Sequence, residues 1–215
     1  MKILDEPVSV VQTRADSPVG MLRLAATDRG IAAAEFVGAF EQAPAASNAE
    51  PRDDTVALAA NGTAPPAHGA MPATDTAIPP ANSATGHERA LGHLAQLERE
   101  LAAYFAGTLP RGTFTVPLDL RGTTFQLETW HALCAIPFGT TISYSELARR
   151  IDRPTGQRAV GAANGANPIA IIVPCHRVVA ADGSLHGYGG GLERKAWLVG
   201  HEREHAPGRR PGLFR

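Results

Sequence analysis

Only two cysteines, Cys134 and Cys175, occur among 215 residues, which rules out a disulfide framework. That scarcity favours a reducing compartment, so a cytoplasmic address is expected. Aromatic residues are few, at 6%, and no apolar run approaches the ~20 residues that a bilayer requires, so no membrane association is expected. The opening MKILDEPVSV has acids where a secretory leader has a basic region and an apolar stretch, and no such leader is expected. Hydrophobic residues at 44% and charged residues at 19% still fit a soluble, globular chain. Net charge is nearly missing as well, at −1, but only in the total. Residues 1–87 hold 5 Lys and Arg against 10 Asp and Glu, whereas residues 88–215 hold 15 against 11. A polyanion would be drawn to the second part, although chance plus an acidic linker gives the same imbalance.

Larger apolar side chains almost vanish from Glu41 to His87, where four of them stand among 14 Ala and 7 Pro in 47 residues. Such a stretch cannot bury enough surface to offset its ordering entropy, so 41–87 is expected to be a disordered insertion. Before it, residues 7–14, 19–27 and 30–37 are short apolar segments separated by Ser17-Pro18 and Asp28-Arg29-Gly30. They predict three antiparallel strands in a sheet region at 1–40. After it, Leu91, Leu94, Leu97, Leu101 and Tyr104 recur three or four apart, which predicts a helix over 88–106, stopped by Gly107. Phe114–Leu120 reads as a strand or an extended connection, and 88–120 would complete the N-terminal domain.

Thr123-Thr124-Phe125-Gln126 is a capping box opening a helix that Pro137 ends. Ser143-Tyr144-Ser145-Glu146 reads as a second box, for a short helix to about Ile151. A turn at Pro154-Thr155-Gly156 and a helix from Gln157 to Gly165 complete the outline of a helix-turn-helix. This last helix is nearly bald, with Ala159, Gly161, Ala162, Ala163 and Gly165, and Arg158 is its only cation. Each glycine costs about 0.5–1 kcal/mol relative to alanine, so a closely approaching partner or close internal packing should offset it. Cys134, beside Trp130 and Leu133, reads as an inert core thiol. His131, His186, His201 and His205 have no metal-ligand spacing.

Residues 167–177 read NPIAIIVPCHR. An apolar, strand-like segment from Ile169 to Val173 leads into Pro174, then Cys175 and His176. A thiol is a useful nucleophile as thiolate, and a neighbouring base supplies that form; adjacency in sequence does not by itself aim the two side chains together. Downstream, Leu192, Ala196 and Val199 make a helical stripe whose continuation reaches Glu202. A carboxylate on an apolar face either has a buried partner, for which histidine is well suited, or lies frayed at the helix end. In the first case Cys175, His176 and Glu202 form a nucleophile, a base and an orienting group.

The run PCHRVV, preceded by NPIAIIV and followed by GYGGGLERKAWLVGHE, resembles the O6-alkylguanine-DNA alkyltransferase family over about residues 88–206. The resemblance implies an α+β fold, with a small RNase H-like domain of sheet plus helix at the N-terminus. A mostly helical, winged-helix-like alkyltransferase domain with the helix-turn-helix would follow at 121–206, and then a tail at 207–215. The implied activity is that of a methylated-DNA–protein-cysteine methyltransferase: one irreversible transfer of an alkyl group from O6-alkylguanine in double-stranded DNA, after base flipping, with O4-alkylthymine a further candidate. Cys175 matches the acceptor, and His176 and Glu202 match the pair that activates it through a bridging water. Asn167 matches the asparagine bracing the active-site turn, and Tyr144 the tyrosine that protonates the leaving guanine. Arg158 matches the arginine that fills the hole in the duplex, on a helix laid in the minor groove with Ala159 and Gly161. Tyr188, Gly189 and Val178 would wall the substrate pocket, while Ala170 and Asn164 stand where relatives vary.

Some relatives carry zinc in the N-terminal region; residues 1–87 have no cysteine, so no metal is expected, and no cofactor. A monomer is expected. Three other readings compete. A non-catalytic sensor of alkylated DNA would carry another residue at position 175. A transcription regulator using 143–166 would need more side chains able to reach base edges. A cysteine hydrolase would need an oxyanion hole, which the sequence does not locate.

Overall fold

The computed structural model describes residues 10–40 and 85–207. The expected disordered insertion lies outside the described residues except for its last three positions, as does the tail beyond 207. Strands form where the apolar segments predicted them: β1 Val11–Ala15, β2 Met21–Thr27 and β3 Gly30–Val37, an antiparallel sheet in the order β1-β2-β3. Alternation buries Leu22 and Leu24 and exposes Met21 and Arg23; a bulge between Ala25 and Ala26 then breaks the register. A Cβ on Gly30, whose φ is +151°, would lie 2.4 Å from the Pro117 carbonyl oxygen, so only glycine lets that chain approach. Ile31 then donates to Pro117 O at 2.8 Å and accepts from Asp119 N at 2.8 Å. Of the two readings of 114–120, the extended connection is the one observed, running beside β3 with a single bridge between Ile31 and Leu118.

Helix α1, Gly86–Phe105, packs across β2 and begins before the expected boundary at 87/88. Thr85 caps it: its hydroxyl accepts from Glu88 N at 3.2 Å and its own N–H donates to the Glu88 carboxylate at 2.6 Å. Leu94, Leu97, Leu101 and Tyr104 are buried as predicted, but Leu91 is 46% exposed and Ala90 takes its place against the core.

Helix α2, Thr124–Cys134, starts at the expected box on Thr123 and Gln126. Helices α3, Tyr144–Arg150, and α4, Gln157–Gly165, form the expected pair. The second box is only half made. Ser143 Oγ accepts from Glu146 N at 3.1 Å, but the Glu146 carboxylate turns to Arg149 and Arg150. Trp130 Nε1 donates to Ala163 O at 2.9 Å and so ties α2 to α4. A short parallel pair that sequence reasoning missed, β4 Ile142–Ser143 with β5 Val178–Val179, brings the start of α3 beside the exit of the Cys175 turn. Helix α5, Leu192–His205, closes the described part of the chain. Buried apolar side chains run continuously from β2 through α1, α2 and α3 to Leu198 of α5. Among the described residues no helix is long and apolar enough to cross a membrane.

Candidate active site

The segment Ile169–Val173 is not the strand-like run expected. Ile169 bridges to Ala34 of β3, and the chain then turns, with Ile171 at φ +72°. A left-handed β-branched residue costs on the order of 1–3 kcal/mol, so its surroundings must impose it. Two sets of contacts do. Ala34 donates to Pro168 O at 3.0 Å and accepts from Ala170 N at 2.8 Å, which pins the segment to the free edge of β3. Asn167 spans the turn from inside, donating through Nδ2 to Val173 O at 2.8 Å and accepting Ile169 N on Oδ1 at 3.1 Å. The same Nδ2 lies 3.1 Å from Cys175 Sγ, so the amide that braces the turn also touches the sulfur. Cys175 begins a single 3-10 turn and is buried. Burial pushes its thiol above the usual range, while the Asn167 hydrogen bond and the Lys195 ammonium pull part of the way back. The resting group is a thiol, and its proton must be taken when reaction begins.

His176, fully buried, donates from Nε2 to Glu202 Oε1 at 2.8 Å. A carboxylate only accepts, so Nε2 carries the proton and Nδ1 keeps a lone pair. Burial pulls the His176 pKa down against the pull of Glu202, so the ring is neutral. Nδ1 is buried and has no hydrogen-bond partner among the described residues. Glu202 also accepts from Arg177 Nε at 2.8 Å and Nη2 at 2.9 Å, from Tyr104 Oη at 2.9 Å and from Gly139 N at 3.1 Å. Burial raises its pKa, but His176 and Arg177 outweigh that and hold it well below the ordinary carboxylate range. Of the two readings of Glu202, the buried, paired one is observed. The stripe that pointed to it needs correcting: Leu192 and Ala196 are exposed, and Glu202 shares its face with Lys195, Leu198 and Val199. Arg177 and Tyr104 were missed. Arg177 stands next to His176 in PCHRVV, a charge inside an apolar run, and that was the available signal.

A cavity of about 270 Å³ opens onto Cys175, at the small end for ligand pockets. Asn164, Asn167 and Ala170 line one side and Tyr188 and Gly189 the other, with Ala34 to Phe36 of β3 between. Val178, expected in this wall, lies fully buried in β5 and is not part of the lining, because its strand pairs with β4. Tyr144 borders the 187–190 loop: its Oη donates to His186 O at 3.3 Å. Lys195 Nζ donates to the same oxygen at 2.7 Å and lies 5.9 Å from the Tyr144 ring centroid.

On α4, Arg158, Ala159, Ala162 and Gly165 are exposed. A Cβ on Gly165 would meet nothing within 4 Å, and one on Gly161 only the Tyr144 ring at 3.9 Å. Close internal packing therefore does not account for these glycines, and the helix presents an open face of small residues. Arg158, at its N-terminal end, makes no hydrogen bond or ion pair among the described residues. Cys134 is exposed at the end of α2 and not in the core, because its helix buries Thr129, Trp130 and Leu133 instead. Among the described residues no three His, Cys, Asp or Glu side chains come together as metal ligands.

A description of the 6-O-methylguanine DNA methyltransferase DNA-binding domain matches residues 124–204. A Mycobacterium tuberculosis O6-methylguanine methyltransferase structure superposes with a TM-score of 0.63 at 35% identity, covering 94% of this chain and 97% of that one. The chain belongs to the O6-methylguanine DNA methyltransferase family. A second Mycobacterium tuberculosis structure of this family, described as OGT in complex with DNA, gives the same TM-score of 0.63 at 36% identity over 92% of this chain and 95% of that one. Among curated members, the methylated-DNA–protein-cysteine methyltransferase of Mycolicibacterium paratuberculosis is 57% identical over 108 residues, half of this chain. That of Salmonella typhimurium is 54% identical over 106 residues. The match spans 64% and 61% of those two relatives' lengths. The family's α+β architecture, a small antiparallel sheet with helices, is the one described above.

Proposed function

We propose that this chain repairs DNA by a single irreversible transfer of the alkyl group of O6-alkylguanine to Cys175. The observation that carries this reading is the buried thiol at a small cavity, next to a neutral His176 whose Nδ1 lone pair is unengaged among the described residues and whose Nε2–H is held by Glu202. In the reaction an S–C bond forms as the C–O bond to guanine breaks. The thiol proton passes to His176 Nδ1 through a bridging water, and Glu202 stabilises the imidazolium that results. The leaving guanine takes a proton from Tyr144, beside the loop that walls the cavity. Asn167 positions the sulfur. The thioether has no leaving group that water displaces readily, so the protein is consumed.

A stacked base cannot reach a buried sulfur, so the nucleotide must leave the duplex. The open face of α4, with Ala159 and Gly161, would lie in the minor groove, and Arg158 would fill the vacated place. Double-stranded DNA is thus the proposed partner, bound by a monomer acting in the cytoplasm without metal or cofactor. We read 1–40 with 88–120 as the RNase H-like part and 121–206 as the winged-helix-like alkyltransferase part; the parallel β4–β5 pair beside α3 supports the latter. O4-alkylthymine is a weaker candidate substrate. Cysteine at 175 disfavours a sensor, and the bald face of α4 disfavours a sequence reader.

An oligonucleotide carrying labelled O6-methylguanine tests the proposal. Label should move to the protein, level off at about one equivalent as a thioether product requires, and map to Cys175. Cys175→Ser should take up none, whereas Cys134→Ser should transfer normally. Continued turnover with limiting protein, or label on Cys134, would overturn the assignment.

A further inference from the structure

Arg194, in the first turn of α5, is 4% exposed. Burying a guanidinium is costly unless its N–H groups are met, and among the described residues no carboxylate meets this one. Three backbone carbonyls do, each on a different segment. Nε donates to Val19 O at 2.7 Å, in the turn between β1 and β2, and Nη2 to Gly38 O at 3.0 Å, just past β3. Nη1 donates to Gly190 O at 2.8 Å, at the end of the loop that walls the cavity. The guanidinium also lies over the Phe36 ring of β3, 4.8 Å from its centroid. Phe36 and Gly190 both line the cavity on Cys175, and they touch: a Cβ on Gly190 would lie 2.5 Å from Phe36 Cδ2. The Phe36 ring is in turn 6.1 Å from that of Tyr188. Arg194 is not in the lining itself; it stands behind this wall. Lys195, the next residue, holds the other end of the loop through His186 O at 2.7 Å, so one turn of α5 fixes both ends.

Resting on the alkyl-transfer reading, we infer that Arg194 is a positioning residue that clamps Phe36 and the 187–190 loop together, and so limits the size of the O6 adduct that reaches Cys175. A planar fork reaches three carbonyls at once, which neither an ammonium nor an uncharged chain can do. Without the fork, Phe36 loses the cation on its ring and the loop loses one of its two anchors. The wall is then free to retreat. In a cavity of about 270 Å³ such a retreat matters more to a benzyl group than to a methyl group. The N-terminal sheet thereby takes part in choosing the substrate, through an arginine that never meets it.

The test uses the full chain and two duplexes identical except for O6-methylguanine or O6-benzylguanine, so that differences in DNA binding cancel. Single-turnover rates of transfer to Cys175 are compared well below the melting temperature of each variant. Arg194→Met should raise the benzyl-to-methyl rate ratio about tenfold over wild type, the discrimination that a small change in an apolar wall provides. Arg194→Lys keeps the charge without the fork and should raise it less. Phe36→Leu trims the wall directly and should also raise it. Adding Arg194→Met to Phe36→Leu should then change little more, because both act at one wall. An arginine that only stabilises the fold would lower the melting temperature and slow both reactions alike. An unchanged ratio in Arg194→Met therefore overturns the inference; if that variant does not fold, the ratio in Arg194→Lys decides in the same way. Iodoacetamide and its N-benzyl form read the same wall without DNA, in a Cys134→Ser background: sulfur bonds to carbon as iodide leaves. Their rate ratio should shift in the same direction. No transfer from either duplex by wild type would refute the alkyl-transfer reading, and the iodoacetamide ratio would still decide whether the clamp operates.

Discussion

Glu202 receives five hydrogen bonds from four residues, and they differ in kind. Two come from the Arg177 guanidinium and hold the charge in place; one comes from His176 and transmits it to the base. Glu202→Gln keeps the shape and removes the charge, leaving Arg177 buried and uncompensated, which costs about 3–5 kcal/mol. The melting temperature should fall by on the order of 10 °C, at about 2–4 °C per kcal/mol. Transfer to Cys175, measured well below that midpoint, should be slowed severely. Tyr104→Phe removes one neutral donor and should cost about 1 kcal/mol and slow transfer far less. A folded Glu202→Gln protein reacting at the wild-type rate would take Glu202 out of the chemistry. At this scale the sequence was informative where residues are consecutive. Cys175 and His176 sit side by side, and Asn167 opens the same run. Tyr104 and Gly139 approach Glu202 from 98 and 63 positions away, and no periodicity encodes such a meeting.

Helix α4 separates binding from chemistry. Its exposed face meets none of the other described residues at Gly165, so bulk added there is free of strain against them. Ala162→Leu, on the same exposed side, should leave the unfolding free energy within about 0.5 kcal/mol of wild type, as surface substitutions do. It should still slow transfer from duplex DNA, while reaction with the free base O6-benzylguanine stays near normal. Arg158→Ala should show the same split, losing about ten- to a hundredfold on the duplex at ~1.4 kcal/mol per decade. Arg158→Lys should recover only part, because a planar guanidinium stacks and an ammonium does not. An unchanged duplex-to-free-base ratio in both variants would mean that this face does not meet DNA. Elements bounded by caps and breakers were legible here: α2 starts at its box, and α4 runs from Gln157 to Gly165 as its composition suggested. The start of α1 was obscured, because its cap, Thr85, ends an Ala/Pro-rich tract that reads as featureless. The turn at Ile169–Val173 was misread as extended, since its conformation is imposed by Asn167 and β3 against the preference of its β-branched residues. The two-residue β4 and β5 are too short to leave a pattern.

For the whole molecule, the buried pair sets a response to acid. Glu202 has its folded pKa held below the unfolded value of about 4.3, so the stability it gives is present above that pH and lost as pH falls through the folded value. His176 is kept neutral below its unfolded value of about 6.5, so the unfolded chain takes up its proton first and stability again declines with falling pH. Both effects have the same sign. Urea midpoints should therefore drop from about pH 6.5 downward and more steeply below about 4.3. A Glu202→Gln protein should lose the steeper part. A midpoint that stays flat over about three pH units, from roughly pH 6 to 3, would contradict the linkage. The contacts at Ala34 bear on the assembly of the chain with itself. A sheet edge with unpaired N–H and C=O groups is a template for a strand from another molecule. Here Pro168 and Ala170 occupy that edge at Ala34, so the loop that carries the nucleophile is also the guard of the sheet. An adduct bulky enough to displace the turn would uncover the edge, and self-association would then accompany the loss of the thiol.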